Sequence, residues 1–232
     1  MELYIDDLKR IRIEREKIRA EIFFSSIIQK DMIPNSFPIF PDKLDEFDIH
    51  AIYNPAQSIG GDLYDCFLID NDHLAIIIGD VTGKGIPASL LMIKVMILIK
   101  DQLLIGLSPS KALNITNERV AVNNELQMFV TSWVGILKIS SGKLTYVNAG
   151  HDSPFISHNY SDYIVLDEKH SIVIGLNENV EYLQHEAIMS EHDRLYLYTD
   201  GIIEAINKDN EQFSKYRLLN VLNKINTLTL KN

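Results

Sequence analysis

Two glycine-flanked acidic turns stand eighteen residues apart, Gly60-Gly61-Asp62-Leu63-Tyr64-Asp65 and Gly79-Asp80-Val81-Thr82-Gly83-Lys84-Gly85. Between them runs Leu74-Ala75-Ile76-Ile77-Ile78, an apolar stretch that reads as a buried strand. The order is turn, strand, turn, and it delivers Asp80 to the end of the strand. A third carboxylate of the same kind follows in Leu195-Tyr196-Leu197-Tyr198-Thr199-Asp200-Gly201. Taken singly, Gly-Asp and Asp-Gly are ordinary turn dipeptides. Three of them at the ends of apolar strands are a set of rigid oxygen donors. Mg²⁺ and Mn²⁺ prefer such donors, and no His or Cys pair at zinc spacing lies near them. The expectation is a divalent-cation site that uses Asp62, Asp80 and Asp200. The second turn is not a phosphate-binding P-loop. Only three residues separate Gly79 from Gly83-Lys84, and Gly85 stands where Ser or Thr is required. Lys84 reads as a solvated loop lysine.

Elsewhere the pattern alternates helices with hairpins. Residues 3–30 lack Pro and Gly and carry Tyr4, Leu8, Ile11, Ile18 and Ile22 at heptad-like spacing, with Arg15 and Ser25 interrupting the seam. This helix either packs on its own domain or pairs with a second copy. Pro34, Pro38 and Pro41 then enforce an extended linker. Phe47 to Tyr53 alternates apolar and polar residues and predicts a strand. Hairpins are expected over 64–79 and 129–148, and further strands over 154–157, 163–166, 181–188 and 194–199. A helix that is apolar on most faces, and so deeply buried, should open at Gly85-Ile86-Pro87. Others should start near Ser108 and Lys215. Mixed helices and hairpins without a βαβ rhythm argue for an α+β layered domain and against a doubly wound nucleotide fold.

The formal net charge of -10 disfavours a broad nucleic-acid-binding face. A single cysteine, Cys66, excludes a disulfide framework within the chain and suits a reducing compartment. Its apolar surroundings mark it as a packing residue. No apolar run reaches the ~18 residues of a transmembrane helix, and the first residues lack the pattern of a signal peptide. The expectation is a cytoplasmic protein with no membrane insertion.

Four segments in order resemble the bacterial PPM-type serine/threonine protein phosphatases of the SpoIIE/RsbU-like subgroup. They are Gly60 to Asp65, Gly79 to Ala88, Tyr146-Val147-Asn148-Ala149-Gly150-His151, and Tyr198-Thr199-Asp200-Gly201-Ile202-Ile203-Glu204-Ala205. The resemblance implies an αββα sandwich of two antiparallel sheets flanked by helices, with a linker helix before it. It divides the chain into residues 1–41, helix and Pro-rich linker, and 42–232, the phosphatase domain. It implies Mn²⁺ or Mg²⁺ at a two-metal site and hydrolysis of phosphoserine or phosphothreonine on a regulatory protein. The substrate class it suggests is an anti-anti-sigma-factor-like phosphoprotein in bacterial stress signalling. By motif, Asp80 resembles the carboxylate that bridges both metals, the Val81 carbonyl a ligand to one, Asp200 a ligand to the other, and Asp62 a further acidic ligand. Asn148, Gly150 and His151 fall in a family motif with a structural role, with general acid the alternative for His151.

The sequence departs from the family pattern at Asp152-Ser153, where Asn-Pro is usual, at Thr82, where Ser is commoner, and at Ile203, where Thr or Val is usual. The family's closing Asp-Asp-x-Thr motif, another source of a metal ligand, has no counterpart, since no Asp follows Asp209. That predicts a phosphatase domain lacking its C-terminal elements. The competing expectation is a catalytically impaired phosphatase-like module that binds partners or dimerises through the N-terminal helix.

Overall fold

The computed structural model describes residues 2–122 and 124–229, with side chains for 4–122 and 124–225. The last residues of the sequence, 230–232, lie outside the described residues. After a long helix, α1 (Glu2–Asp31), and the Pro-rich segment come β1 (Leu63–Asp70), β2 (His73–Val81), α2 (Ile86–Leu104) and α3 (Pro109–Ala121). The hairpin β3 (Val130–Lys138) and β4 (Lys143–Ala149) follows, then β5 (Phe155–Ser157), β6 (Ile164–Val165), β7 (His185–Ile188) and β8 (Arg194–Tyr196). A short α4 (Asp200–Ile203) and the terminal α5 (Ser214–Thr229) end the series.

The strands form two sheets, ordered β1-β2-β3-β4-β7 and β6-β5-β8, antiparallel at every neighbour pair among the described residues. Strand alternation explains how they stack. On β2, Ala75, Ile77 and Val81 point one way, into a core shared with Met92, Val95 and Ile99 of α2 and Leu113 and Val120 of α3. Ile76 and Ile78 point the other way, joining Trp133, Leu144 and Tyr146 in a second core. Leu195 and Leu197, at and just after β8, close that core from the smaller sheet. On the far side of the smaller sheet, Phe155 and Tyr198 pack with Ile203, Leu218 and Leu222 of α4 and α5. The order of layers is therefore helices, sheet, sheet, helices. This is the expected αββα sandwich.

Helix ends follow local rules. Pro87 and Pro109 sit in the first turns of α2 and α3, where a missing N–H costs nothing, and the Ser108 hydroxyl accepts from Lys111 N at 3.5 Å.

Three expectations change. Phe47–Tyr53 is not a strand. Its alternation is real, since Phe47, Ile49, Ala51 and Tyr53 are half-buried while Ile52 is 85% exposed, but no neighbouring strand supplies a ladder. The period-two pattern therefore records one-sided packing of an extended segment. Helix α2 is not buried on most faces. Leu90 and Ile97 are exposed because only one side of α2 meets the sheet. Of the two alternatives for α1, packing along its own domain does not hold. Tyr4, Leu8, Ile11 and Ile18 are all exposed, and only Ser26 and Gln29 of the helix are buried.

The β2–β3 pairing tolerates no extra bulk beside the acidic turn. A Cβ on Gly79 would stand 2.5 Å from the Thr131 carbonyl oxygen, a backbone atom. Gly79→Ala is expected to lower unfolding stability by about 1–3 kcal/mol, read by urea denaturation. An unchanged midpoint would contradict this close approach.

Candidate active site

The alternation that builds the second core also places the acidic residues. Asp80 continues the series Ile76, Ile78 along β2 and so faces the gap between the sheets. Its partner in the ladder is Thr131 on β3. The β1–β2 register pairs Leu63 with Gly79, and continuing it by one residue sets Asp62 opposite Asp80. Asp200 arrives from the other sheet, at the first position of α4, four residues after β8. The three sequence-predicted carboxylates thus meet at one end of the sandwich.

Glycine makes the close approach possible. A Cβ on Gly61 would lie 2.9 Å from the Val81 carbonyl oxygen and 3.4 Å from the Ala88 Cβ. The turn before Asp62 therefore presses directly on the Val81 backbone, as only glycine allows. Gly60 is gripped from outside. The Gln29 side chain, only 3% exposed, donates to the Gly60 carbonyl at 2.8 Å and accepts from the Gly60 N–H at 3.1 Å. This two-bond clamp ties the last turns of α1 to the Asp62 turn.

The carboxylates repel one another. Burial, then the charges of Asp62 and Asp200, push the Asp80 carboxyl up to about 7. Asp62 is also raised, first by burial and then by Asp200, while a hydrogen bond from the Thr199 hydroxyl opposes the shift. The side-chain contact between Asp62 and Asp80 acts in opposite directions on the two, lowering Asp62 and raising Asp80 further. Among the described residues, no three His, Cys, Asp or Glu side chains gather tightly enough to ligate a single ion by themselves. Asp80 and Asp200 instead line one cleft, with Asp62 close enough to act on both charges.

His151 braces this arrangement. It is 3% exposed, and its Nε2–H donates to the Tyr198 carbonyl at 3.0 Å. That leaves Nδ1 to accept from the Thr131 hydroxyl, also at 3.0 Å. The ring therefore links the residue opposite Asp80 to the residue two before Asp200. Asn148 fixes the ring's own backbone, accepting from His151 N at 2.7 Å and donating to His151 O at 3.0 Å. With both nitrogens engaged, the structural role read for the Asn-Ala-Gly-His segment agrees with the geometry.

A cleft of about 390 Å³ opens beside these groups, lined by Asp80, Thr131, His151, Asp200, His170 and Lys215 among others. A larger cleft of about 450 Å³ lies along the Pro-rich segment, where Asp65 pairs with Lys100 at 2.7 Å; it contains none of the three carboxylates. Chemistry favours the smaller one. Cys66 is buried and its thiol is pushed up to about 12, first by burial, which agrees with a packing role. Lys84 is exposed, as expected for a loop lysine. Gln29, Thr131, His170 and Lys215 carried no motif. Their roles arise from contacts 20 or more residues apart in the chain, or from neighbours in one cleft.

A family model, Stage II sporulation protein E (SpoIIE), matches residues 70–232. The chain belongs to the SpoIIE family. Among curated relatives, "Phosphoserine phosphatase RsbP" of Bacillus subtilis is 31% identical over 190 residues, covering 80% of this chain and 46% of that one. "Phosphoserine phosphatase RsbU" of the same organism is 29% identical over 192 residues, covering 82% and 56%. The "SiaA-PP2C domain of Pseudomonas aeruginosa" superposes with a TM-score of 0.75 at 20% identity, over 90% of this chain and 82% of that one. The fold is that of the PP2C phosphatase domains on which it superposes. The chain spans about half the length, or less, of the curated relatives it matches.

Burial depresses the His151 imidazole to about 4, so it is neutral in the fold, and its unfolded counterpart protonates near 6.5. Its stabilising contribution is complete above pH 6.5 and is lost as pH falls from 6.5 through 4. His151→Gln should be clearly less stable than the parent at pH 7.5, and the gap should narrow steadily on acidification to pH 4. Thermal melts of both proteins across this range check it. A gap independent of pH would contradict a buried neutral His151.

Proposed function

We propose that this chain hydrolyses phosphoserine or phosphothreonine on a regulatory protein with the help of Mn²⁺ or Mg²⁺. The observation that carries the reading is the convergence of Asp62, Asp80 and Asp200 between the sheets, where their charges act on one another. The donors are all oxygen, as hard divalent cations require. Their mutual repulsion, visible in the raised Asp80, is what cation binding relieves. The Gly61–Val81 approach leaves a backbone carbonyl beside the carboxylates. On these grounds the residues fit the group. Asp80 and the Val81 carbonyl would hold one ion, Asp80 and Asp200 the other, and Asp62 would serve directly or through water. A related fold, RsbX, was solved "in complex with magnesium" (TM-score 0.54, 15% identity).

Bound cations at such a site supply Lewis acidity toward water and toward phosphoryl oxygens. The protein's part is to position. Asp80 and Asp200 are held on opposite sheets by the Thr131–His151–Tyr198 brace, so their spacing is set by the packing of the whole sandwich. His151, neutral and doubly bonded, is not available to move protons. The cleft walls admit a phosphorylated side chain while the apolar core behind Asp80 excludes bulk water.

In this reading residues 1–41 are the linker and 42–232 the phosphatase domain. The substrate is a small anti-anti-sigma-factor-like phosphoprotein, and the setting is cytoplasmic signal transduction. Among the described residues, no helix is long and apolar enough to cross a membrane. The exposed stripe of Tyr4, Leu8, Ile11 and Ile18 on α1 supports pairing with a second copy of the chain.

The deciding assay is Mn²⁺-dependent phosphate release from a phosphoserine protein or peptide. Chelation should stop it, and Asp80→Ala should lower kcat/KM at least about 100-fold. Release that persists with chelator, or in Asp80→Ala, would sink this proposal, as would no release at all from the parent chain with Mn²⁺.

A further inference from the structure

The cleft beside the carboxylates contains one corner of opposite character. Asp80, Asp152 and Asp200 face it, and Lys215 is the one Lys or Arg among its lining residues. Lys215 begins the first turn of α5, a helix with no acidic residue in that turn. A lysine there is at the positive end of the helix dipole, where cations are disfavoured and anions favoured. The structure does not neutralise it by a close ion pair. Among the described residues no carboxylate lies within 4.0 Å of its ammonium, which instead hangs 5.6 Å from the centre of the Phe155 ring. Lys215 acts electrostatically on Asp152, whose carboxyl is raised, first by burial, with Lys215 and His170 acting against the shift.

His170 completes the corner. Its Nε2 faces the Asn148 amide nitrogen at 3.2 Å and the Ser153 hydroxyl at 3.0 Å. Asn148 Nδ2 only donates, so Nε2 accepts and the ring proton sits on Nδ1. His170 and the Lys215 ammonium thus line the same cleft as Asp80 and Asp200. The Phe155 ring and the charge of Asp152 hold Lys215 at the cleft, and with no carboxylate in close contact its ammonium is left able to meet an anionic group there.

We propose that Lys215, seconded by His170, is the anchor for the phosphoryl group of the substrate, a phosphomonoester dianion on a serine or threonine side chain. The assignment rests on the phosphatase reading of this cleft and deepens it. Lys215 supplies charge and reach to a phosphoryl oxygen on the side away from the carboxylates. The α5 N-terminus adds its dipole in the same direction. Lys215 touches no metal ligand in this role, so its loss weakens substrate binding and leaves the cation site intact.

The test is steady-state kinetics of the full chain with Mn²⁺ and a phosphoserine peptide, comparing the parent with Lys215→Ala, Lys215→Glu and Lys215→Arg. Lys215→Ala should raise KM about tenfold while kcat stays within about threefold. Inhibition by inorganic phosphate should weaken in parallel, Lys215→Glu should be worse, and Lys215→Arg should recover most of the loss. Unchanged KM and unchanged phosphate inhibition in Lys215→Ala would overturn the assignment, as would a fall confined to kcat. A parent chain that releases no phosphate would count against the phosphatase reading, and a second measurement then decides this one. Inorganic phosphate with Mn²⁺ should slow acylation of Lys215, read by mass spectrometry, relative to Lys208. Equal labelling of Lys215 with and without phosphate would overturn it.

Discussion

One buried imidazole holds the two halves of this molecule in the relation that the chemistry needs. His151 spans from the Thr131 hydroxyl on the larger sheet to the Tyr198 carbonyl beyond the smaller one. Thr131 is the ladder partner of Asp80, and Tyr198 lies two residues before Asp200. A change in sheet spacing must therefore break a bond to a buried ring or carry it along. Leaving either nitrogen unpaired in that interior costs about 1–3 kcal/mol. The brace works only while His151 is neutral, and burial ensures that at physiological pH.

The rest of the site follows from strand alternation and from charge. One face of β2 is committed to the α2–α3 core, so Asp80 is committed to the gap between the sheets. Asp62 is brought opposite by the hairpin register, and the Gln29 clamp fixes its turn from behind. The resulting acid cluster is uncomfortable by itself, which is why Asp80 holds its proton up to about 7. In the proposed reading, cations on the carboxylate side and the Lys215 corner on the other would give this acidic cleft a place for a phosphate. The site is thus asymmetric, with a carboxylate wall, a cationic rim and an apolar floor.

The acidic turns were legible because their information is local. Gly61 and Gly79 stand where a Cβ would strike backbone atoms, and the intervening apolar run admits one conformation. The layered α+β class and most strand positions were legible for the same reason, through alternation and turn residues, while the αββα order came from the family resemblance. Phe47–Tyr53 misled because alternation reports one-sided burial, which a strand and an unpaired extended segment share. Helix α2 misled because an apolar composition does not say how many neighbours a helix will meet. Gln29, Thr131, His170 and Lys215 were silent because each acts across the fold, on a partner set by the packing of two sheets. The four-residue α4, which presents Asp200 at its start, was too short to show any periodicity.

The central claim is that Asp80 stands at a divalent-cation site between the sheets. Anomalous scattering from a crystal of this chain soaked in Mn²⁺ tests it most directly. The account predicts a manganese peak within about 2.0–2.3 Å of an Asp80 oxygen, with Asp200 or the Val81 carbonyl as a second protein ligand. Manganese bound only elsewhere on this acidic surface, or absent from the cleft at saturating concentration, would contradict it.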